Sequence, residues 1–140
     1  MDFFVERIVR ADAAEVAKIM FDPDLEDQWG KSAGKTEKLT PGPLAVGSRV
    51  RHHTSLVGLE HTAVTEVTAL DPGHRLEMRI VEGELLGDLI YQVAPTAGGS
   101  IASIHLRDAK GKLPHSTWLR KHQAEESLER LALLVNRQHS

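Results

Sequence analysis

The sequence predicts an α+β fold: an antiparallel sheet with one wet face, covered on its other face by helices. Three observations carry this. From Gly47 to Lys110, strand-like segments alternate with short turn signals at Val57-Gly58, Asp71-Pro72-Gly73-His74, Gly83-Glu84 and Ala97-Gly98-Gly99. Consecutive strands joined by turns this short must be antiparallel neighbours. Pairing residues about those turns lines up Arg49, Glu66, Arg79, Asp88 and Arg107 in one row of alternating sign, with an apolar set on the opposite face. Finally, Pro114–Gln138 reads as one amphipathic helix, with Ala124, Leu128, Leu131, Ala132 and Val135 on one stripe.

Taken in order, Phe3–Arg10 is a strand, rich in aromatic and β-branched residues. Asp12 and Glu15 form a capping box that opens a helix carrying Val16, Ile19 and Met20. Asp22-Pro23 starts a second short helix that ends near Trp29, with Gly30 as its C-terminal cap. A short strand is expected around Thr36–Leu39, and Pro41-Gly42-Pro43 forces a bend before the meander. In the meander, Leu56 faces Leu59, Thr54 faces His61, and His52 faces Ala63. Next, Ala69 faces Leu76, Val67 faces Met78, Thr65 faces Ile80, and Ala63 faces Glu82. Beyond these, Met78 faces Leu89, Leu76 faces Tyr91, Leu89 faces Leu106, and Tyr91 faces Ile104. Leu86 and Ile90 fall on the outer, otherwise polar face. The terminal helix is about 37 Å long at 1.5 Å per residue, and a twisted sheet curls around such a rod.

Residues 1–140 make one domain by size. A net charge of −3 gives no basic field to attract nucleic acid. Cysteine is absent, which removes disulfides and thiolate chemistry. No apolar run approaches the roughly 20 residues of a membrane span, and the charged, alternating start is not a signal peptide, so a cytoplasmic protein is expected.

The inner face of the sheet is apolar except for His52, Thr54, His61, Thr65, Glu82, Tyr91 and Asp108. His52 and His61 are diagonal neighbours, about 7–8 Å apart, within reach of ring side chains. Glu82 lies across from Ala63, so the three converge. A carboxylate beside an imidazole fixes its tautomer and suits it to acid–base work. The same groups also suit polar contacts to a ligand, or a wet sheet mouth. Tyr91 needs a partner for its hydroxyl, supplied by a ligand, a water or the backbone. Continued backwards, the stripe of the last helix meets Lys121 and Thr117, with Trp118 at its edge, so its first turns are polar where its later turns are greasy. That pattern fits a helix roofing a cavity. His53 and His105 point outward, and His122 sits off the stripe.

The whole chain resembles the START-like (Bet v 1-like, SRPBCC) superfamily, in its polyketide cyclase/dehydrase and lipid-transport branch. The stretches that carry the resemblance are Val9–Val16, Phe21-Asp22-Pro23 with Trp29, Pro43 through Val50, Thr65–Leu76 and the closing helix. The resemblance implies a helix-grip fold, in which a curved sheet of about seven strands wraps the C-terminal helix around a cavity.

The first functional expectation is binding of a small hydrophobic or aromatic molecule, polyketide- or lipid-like, with no cofactor and no metal. Its ligand contacts would come from Trp29, Thr54, Leu56, Thr65, Val67, Met78, Glu82, Leu89, Ile104, Trp118, Lys121, Ala124 and Leu128. The second is a cyclase or dehydratase with His52, His61 and Tyr91 as acid–base groups. The third is an interaction protein that presents Leu86 and Ile90 to a partner. Neither nucleic acid nor membrane insertion is expected, and the chain should be a monomer or homodimer.

Overall fold

The computed structural model describes residues 2–56, 58–111 and 116–138. The expected elements follow one another: β1 (Phe3–Val9), α1 (Ala13–Met20), a 3-10 turn (Pro23–Leu25) and α2 (Glu26–Trp29). Then come β2 (Glu37–Lys38), β3 (Arg49–Leu56), β4 (Leu59–Asp71), β5 (Arg75–Glu82), β6 (Leu85–Thr96), β7 (Gly99–Gly111) and α3 (Ser116–Gln138). All seven strands form one antiparallel sheet in the order β1-β7-β6-β5-β4-β3-β2. The first strand thus closes against the last, and the helices cover one face.

Register follows the turns. His52 pairs with Ala63, Thr54 with His61, Val67 with Met78, Leu89 with Leu106 and Tyr91 with Ile104. The charged row is present across the strands, Arg49–Glu66–Arg79–Asp88–Arg107, each paired with the next. Its ion pairs are exposed or half-buried, with Arg49 to Glu66 at 3.0 Å, Arg79 to Asp88 at 3.3 Å and Arg107 to Asp88 at 3.4 Å.

Bulges account for most departures from the expected pattern. One near Thr68 pairs Ala69 with Glu77 and leaves Leu70, not Ala69, opposite Leu76. Another around Val81 pairs Glu82 with Val64 instead of Ala63, so Glu82 swings to the exposed surface. A third places Asp108 in a left-handed conformation (φ 56°), and its side chain is exposed instead of inward. Each inserts an unpaired residue and resets the alternation beyond it. Ile90, expected on an exposed patch with Leu86, is 2% exposed. Across its strand Arg107 on β7 reaches Glu77 on β5, the pairing partner of Ile90, at 3.7 Å, and long side chains of this kind cover apolar surface. Leu86 alone remains open.

The core lies between sheet and helices. Val16, Ala17 and Met20 of α1 are buried, as are Ala124, Leu128, Leu131, Ala132 and Val135 of α3, the stripe read from the sequence. Asp12 is the N-cap residue of α1, but its side chain makes no capping hydrogen bond. Asp22 does cap the 3-10 turn, accepting from Asp24 N at 2.9 Å. Gly30 follows α2 in extended backbone, not as a left-handed cap. A Cβ there would sit 2.8 Å from Ala33 Cβ and 2.9 Å from Glu26 O, so close packing requires the glycine. Pro114 and His115, at the expected start of the last helix, and His139 beyond its end lie outside the described residues.

Candidate functional site

A cavity of about 160 Å³ opens between the sheet and the first half of α3. Its apolar wall comes from the sheet, with Phe3, Ile80, Leu85, Leu89, Ile104 and Leu106. Its polar groups come from every side: His52, Thr54 and Thr65 from β3 and β4, Tyr91 from β6, Glu26 and Trp29 from α2, and Arg120, Gln123 and Ser127 from α3.

The helix α2 matters more than its four residues promise. It places Glu26 Oε2 2.6 Å from His52 Nδ1, while His52 Nε2 lies 2.8 Å from Thr65 Oγ1. A carboxylate only accepts, so Nδ1 carries a proton and donates to Glu26. In the neutral ring Nε2 then accepts from the Thr65 hydroxyl. The Tyr91 hydroxyl donates to the other oxygen of Glu26 at 3.4 Å. Burial, and secondarily the charge of Glu26 and this hydrogen bond, hold the Tyr91 phenol well above its usual titration range. Trp29 is 1% exposed and meets Tyr91 edge-to-face at 5.7 Å.

Glu26, His52 and Tyr91 also face a second, smaller hollow of about 20 Å³, bordered by Val67 and Met78. They form a polar partition. Val67 and Met78, expected as ligand contacts, lie behind it and do not line the main cavity.

The loop after α2 is tied to α3. Ser127 Oγ accepts from Lys31 N at 2.8 Å, and Gln123 Nε2 donates to Lys31 O at 3.0 Å and Ser55 O at 3.2 Å. These bonds fix the helix against the rim of the cavity.

Of the residues expected from sequence, the cavity brings together Trp29, His52, Thr54, Thr65, Leu89, Tyr91, Ile104 and Ala124. It does not take in His61, whose Nδ1 lies 2.9 Å from Glu84 Oε2 in the β5–β6 turn. The expected meeting of His52, His61 and Glu82 therefore fails: the bulge turns Glu82 outward, Glu84 holds His61, and Glu26 takes the carboxylate position beside His52. Leu128 is sealed in the core, 1% exposed. Trp118 is 63% exposed and meets His122 edge-to-face with ring centroids 4.3 Å apart, so it is not a cavity wall. Lys121 is exposed. The side chains of Leu56 and Thr117 lie outside the described residues.

The sequence reading missed Glu26, Arg120, Gln123 and Ser127. The last three repeat at i, i+3, i+7, one helical stripe beside the apolar one, and that spacing was the available signal.

The sequence matches the family model described as "Polyketide cyclase / dehydrase and lipid transport" over residues 2–135. No curated protein matches it. Solved structures similar in fold include TTHA0849 from Thermus thermophilus, with 17% identity, a TM-score of 0.86 and 100% of both chains covered. The Zhui aromatase/cyclase from Streptomyces sp. R1128 is 14% identical with a TM-score of 0.81, covering 100% of this chain and 96% of that one. Ginseng major latex-like protein 151 from Panax ginseng is 15% identical with a TM-score of 0.78, and 96% of each chain is covered. No described helix is long and apolar enough to cross a membrane.

Proposed function

Because the chain belongs to the polyketide cyclase/dehydrase and lipid-transport family, we propose that it binds a small ring-bearing molecule in the cavity beneath α3. One observation carries this reading: a hollow walled by apolar side chains of the sheet, with polar groups from α2, α3 and the strands placed around it. Ligand sites have that character, a greasy lining with a small number of placed polar groups. The volume of about 160 Å³ limits the enclosed part to about one ring, since a dry engineered cavity of about 150 Å³ holds benzene. A longer molecule would extend through the mouth.

The test is saturation-transfer NMR with p-cresol, a ring with one hydroxyl. Wild-type protein should bind it, and Ala124→Leu, which grows a side chain into the hollow, should weaken binding at least about tenfold while the fold persists. Equal binding by the two proteins would reject the site.

A second reading, acid–base catalysis on the bound molecule, is favoured by the Glu26–His52–Thr65 chain with the Tyr91 hydroxyl beside it. The aromatase/cyclase among the similar folds supports it as a chemical class. Under this reading His52→Asn keeps binding and loses turnover by roughly 10²–10⁴-fold, the usual scale of general acid–base effects.

A further inference from the structure

Two residues of the cavity lining carry a shielded donor with no acceptor among the described residues: Trp29 at Nε1 and Arg120 at Nε. Shielded donors are normally satisfied, and each orphan carries a free-energy penalty. The other charged groups lining the cavity already have partners. Glu26 is held by His52 and Tyr91, and Lys31 lies 3.5 Å from Glu126. Arg120 differs. Its charge is favoured by Glu84, but that carboxylate is half exposed and already engaged by His61 at 2.9 Å. Burial works against the Arg120 charge and lowers its pKa, yet a guanidinium stays protonated in water at any ordinary pH. The hollow therefore contains a permanent cation short of an anion.

We propose that the ligand is a ring-bearing carboxylate, its anionic oxygens accepting from the guanidinium of Arg120 while the apolar sheet wall takes the ring. This rests on the reading of the cavity as a ligand site and adds the charge of the molecule it selects. Arginine suits the task, because its planar fork matches a carboxylate in geometry as well as charge. Glu84 is the natural competitor for Arg120, and its removal should favour the ligand.

The experiment compares benzoate with benzamide, its neutral counterpart of nearly equal shape, by titration followed in proton–nitrogen NMR spectra. Wild-type protein should bind benzoate at least about tenfold more tightly, the scale of one charge-assisted hydrogen bond. Of the two indole N–H signals, that of Trp29 should shift and that of the exposed Trp118 should not. Arg120→Gln should erase the benzoate-to-benzamide ratio, and Glu84→Gln should raise it. If Arg120→Gln fails to fold, the exposed Glu84→Gln change decides alone. A ratio near one in the wild type, or a ratio unmoved by the substitutions, overturns the proposal and leaves the cavity reading standing. Failure of both probes to bind at millimolar concentration overturns both.

Discussion

Glu26 Oε2 lies 2.6 Å from His52 Nδ1, joining a four-residue helix to the third strand across the cavity wall. The pair is largely buried, with side-chain exposures of 14% and 12% for His52 and Glu26. Thr65 on the far side of the ring leaves His52 little freedom to flip. The neutral imidazole should therefore be the tautomer protonated at Nδ1, with Nε2 as acceptor. Long-range proton–nitrogen NMR of His52 should show the pyridine-like nitrogen at Nε2. Glu26→Gln should weaken that preference and destabilise the fold by about 1–3 kcal/mol in urea titrations, since two buried groups lose their charged partner. A wild-type spectrum dominated by the other tautomer would contradict the geometry.

Tyr91 is the single tyrosine, so its ionisation can be followed by ultraviolet absorbance without interference. Burial, then the neighbouring Glu26 charge, raises its folded-state pKa. A raised folded value means the folded state holds the proton more tightly. The stability so gained is fully present below the unfolded value of about 10 and is lost as pH rises above it. Tyrosinate absorbance should therefore lag behind that of free tyrosine and appear together with unfolding. Tyr91→Phe should flatten the alkaline part of the stability profile. Titration of the folded protein at the ordinary phenol pKa would refute this.

Asp88 sits between Arg79 and Arg107, at 3.3 and 3.4 Å, with both arginine side chains open to water and its own partly covered. Asp88→Asn should cost only about 0.2–1 kcal/mol at low ionic strength, and less in 1 M salt. A loss of several kcal/mol would mean the row carries stability, whereas its value here lies in fixing register.

That row also shows what could be read in advance. Arg49, Glu66, Arg79, Asp88 and Arg107 align because period-two alternation and short turns leave one register that keeps the apolar face inward. The family resemblance added the wrap around the terminal helix, and the structure has it. What stayed hidden is local. A bulge adds one residue with no mark in the hydrophobic pattern, so the pattern points Glu82 inward while the fold turns it outward. Glu26 was invisible because four residues give too little periodicity to reveal which side faces the sheet. On α3 the apolar stripe runs as expected from Ala124 to Val135. Its extension to Lys121 fails because α2 and the cavity lie on the Arg120–Gln123–Ser127 side of the helix.

The β6–β7 hairpin offers a sharp contrast between adjacent glycines. Gly98 has φ 89° and open space where a Cβ would stand. Gly99 has φ 158°, and a Cβ there would sit 2.3 Å from Val9 O and 3.2 Å from Arg10 Cα. Val9 ends β1 and pairs with Ser100, so any relief must move the backbone where the first strand closes on the last. Gly98→Ala should cost only the left-handed penalty, about 1–2 kcal/mol. Gly99→Ala should cost clearly more, because the clash is with backbone and adds to the strain. Hydrogen exchange should show the extra loss concentrated at the β1–β7 ladder. Equal stabilities for the two variants, or loss of protection elsewhere first, would show that the hairpin accommodates the added methyl without disturbing the closure of the sheet.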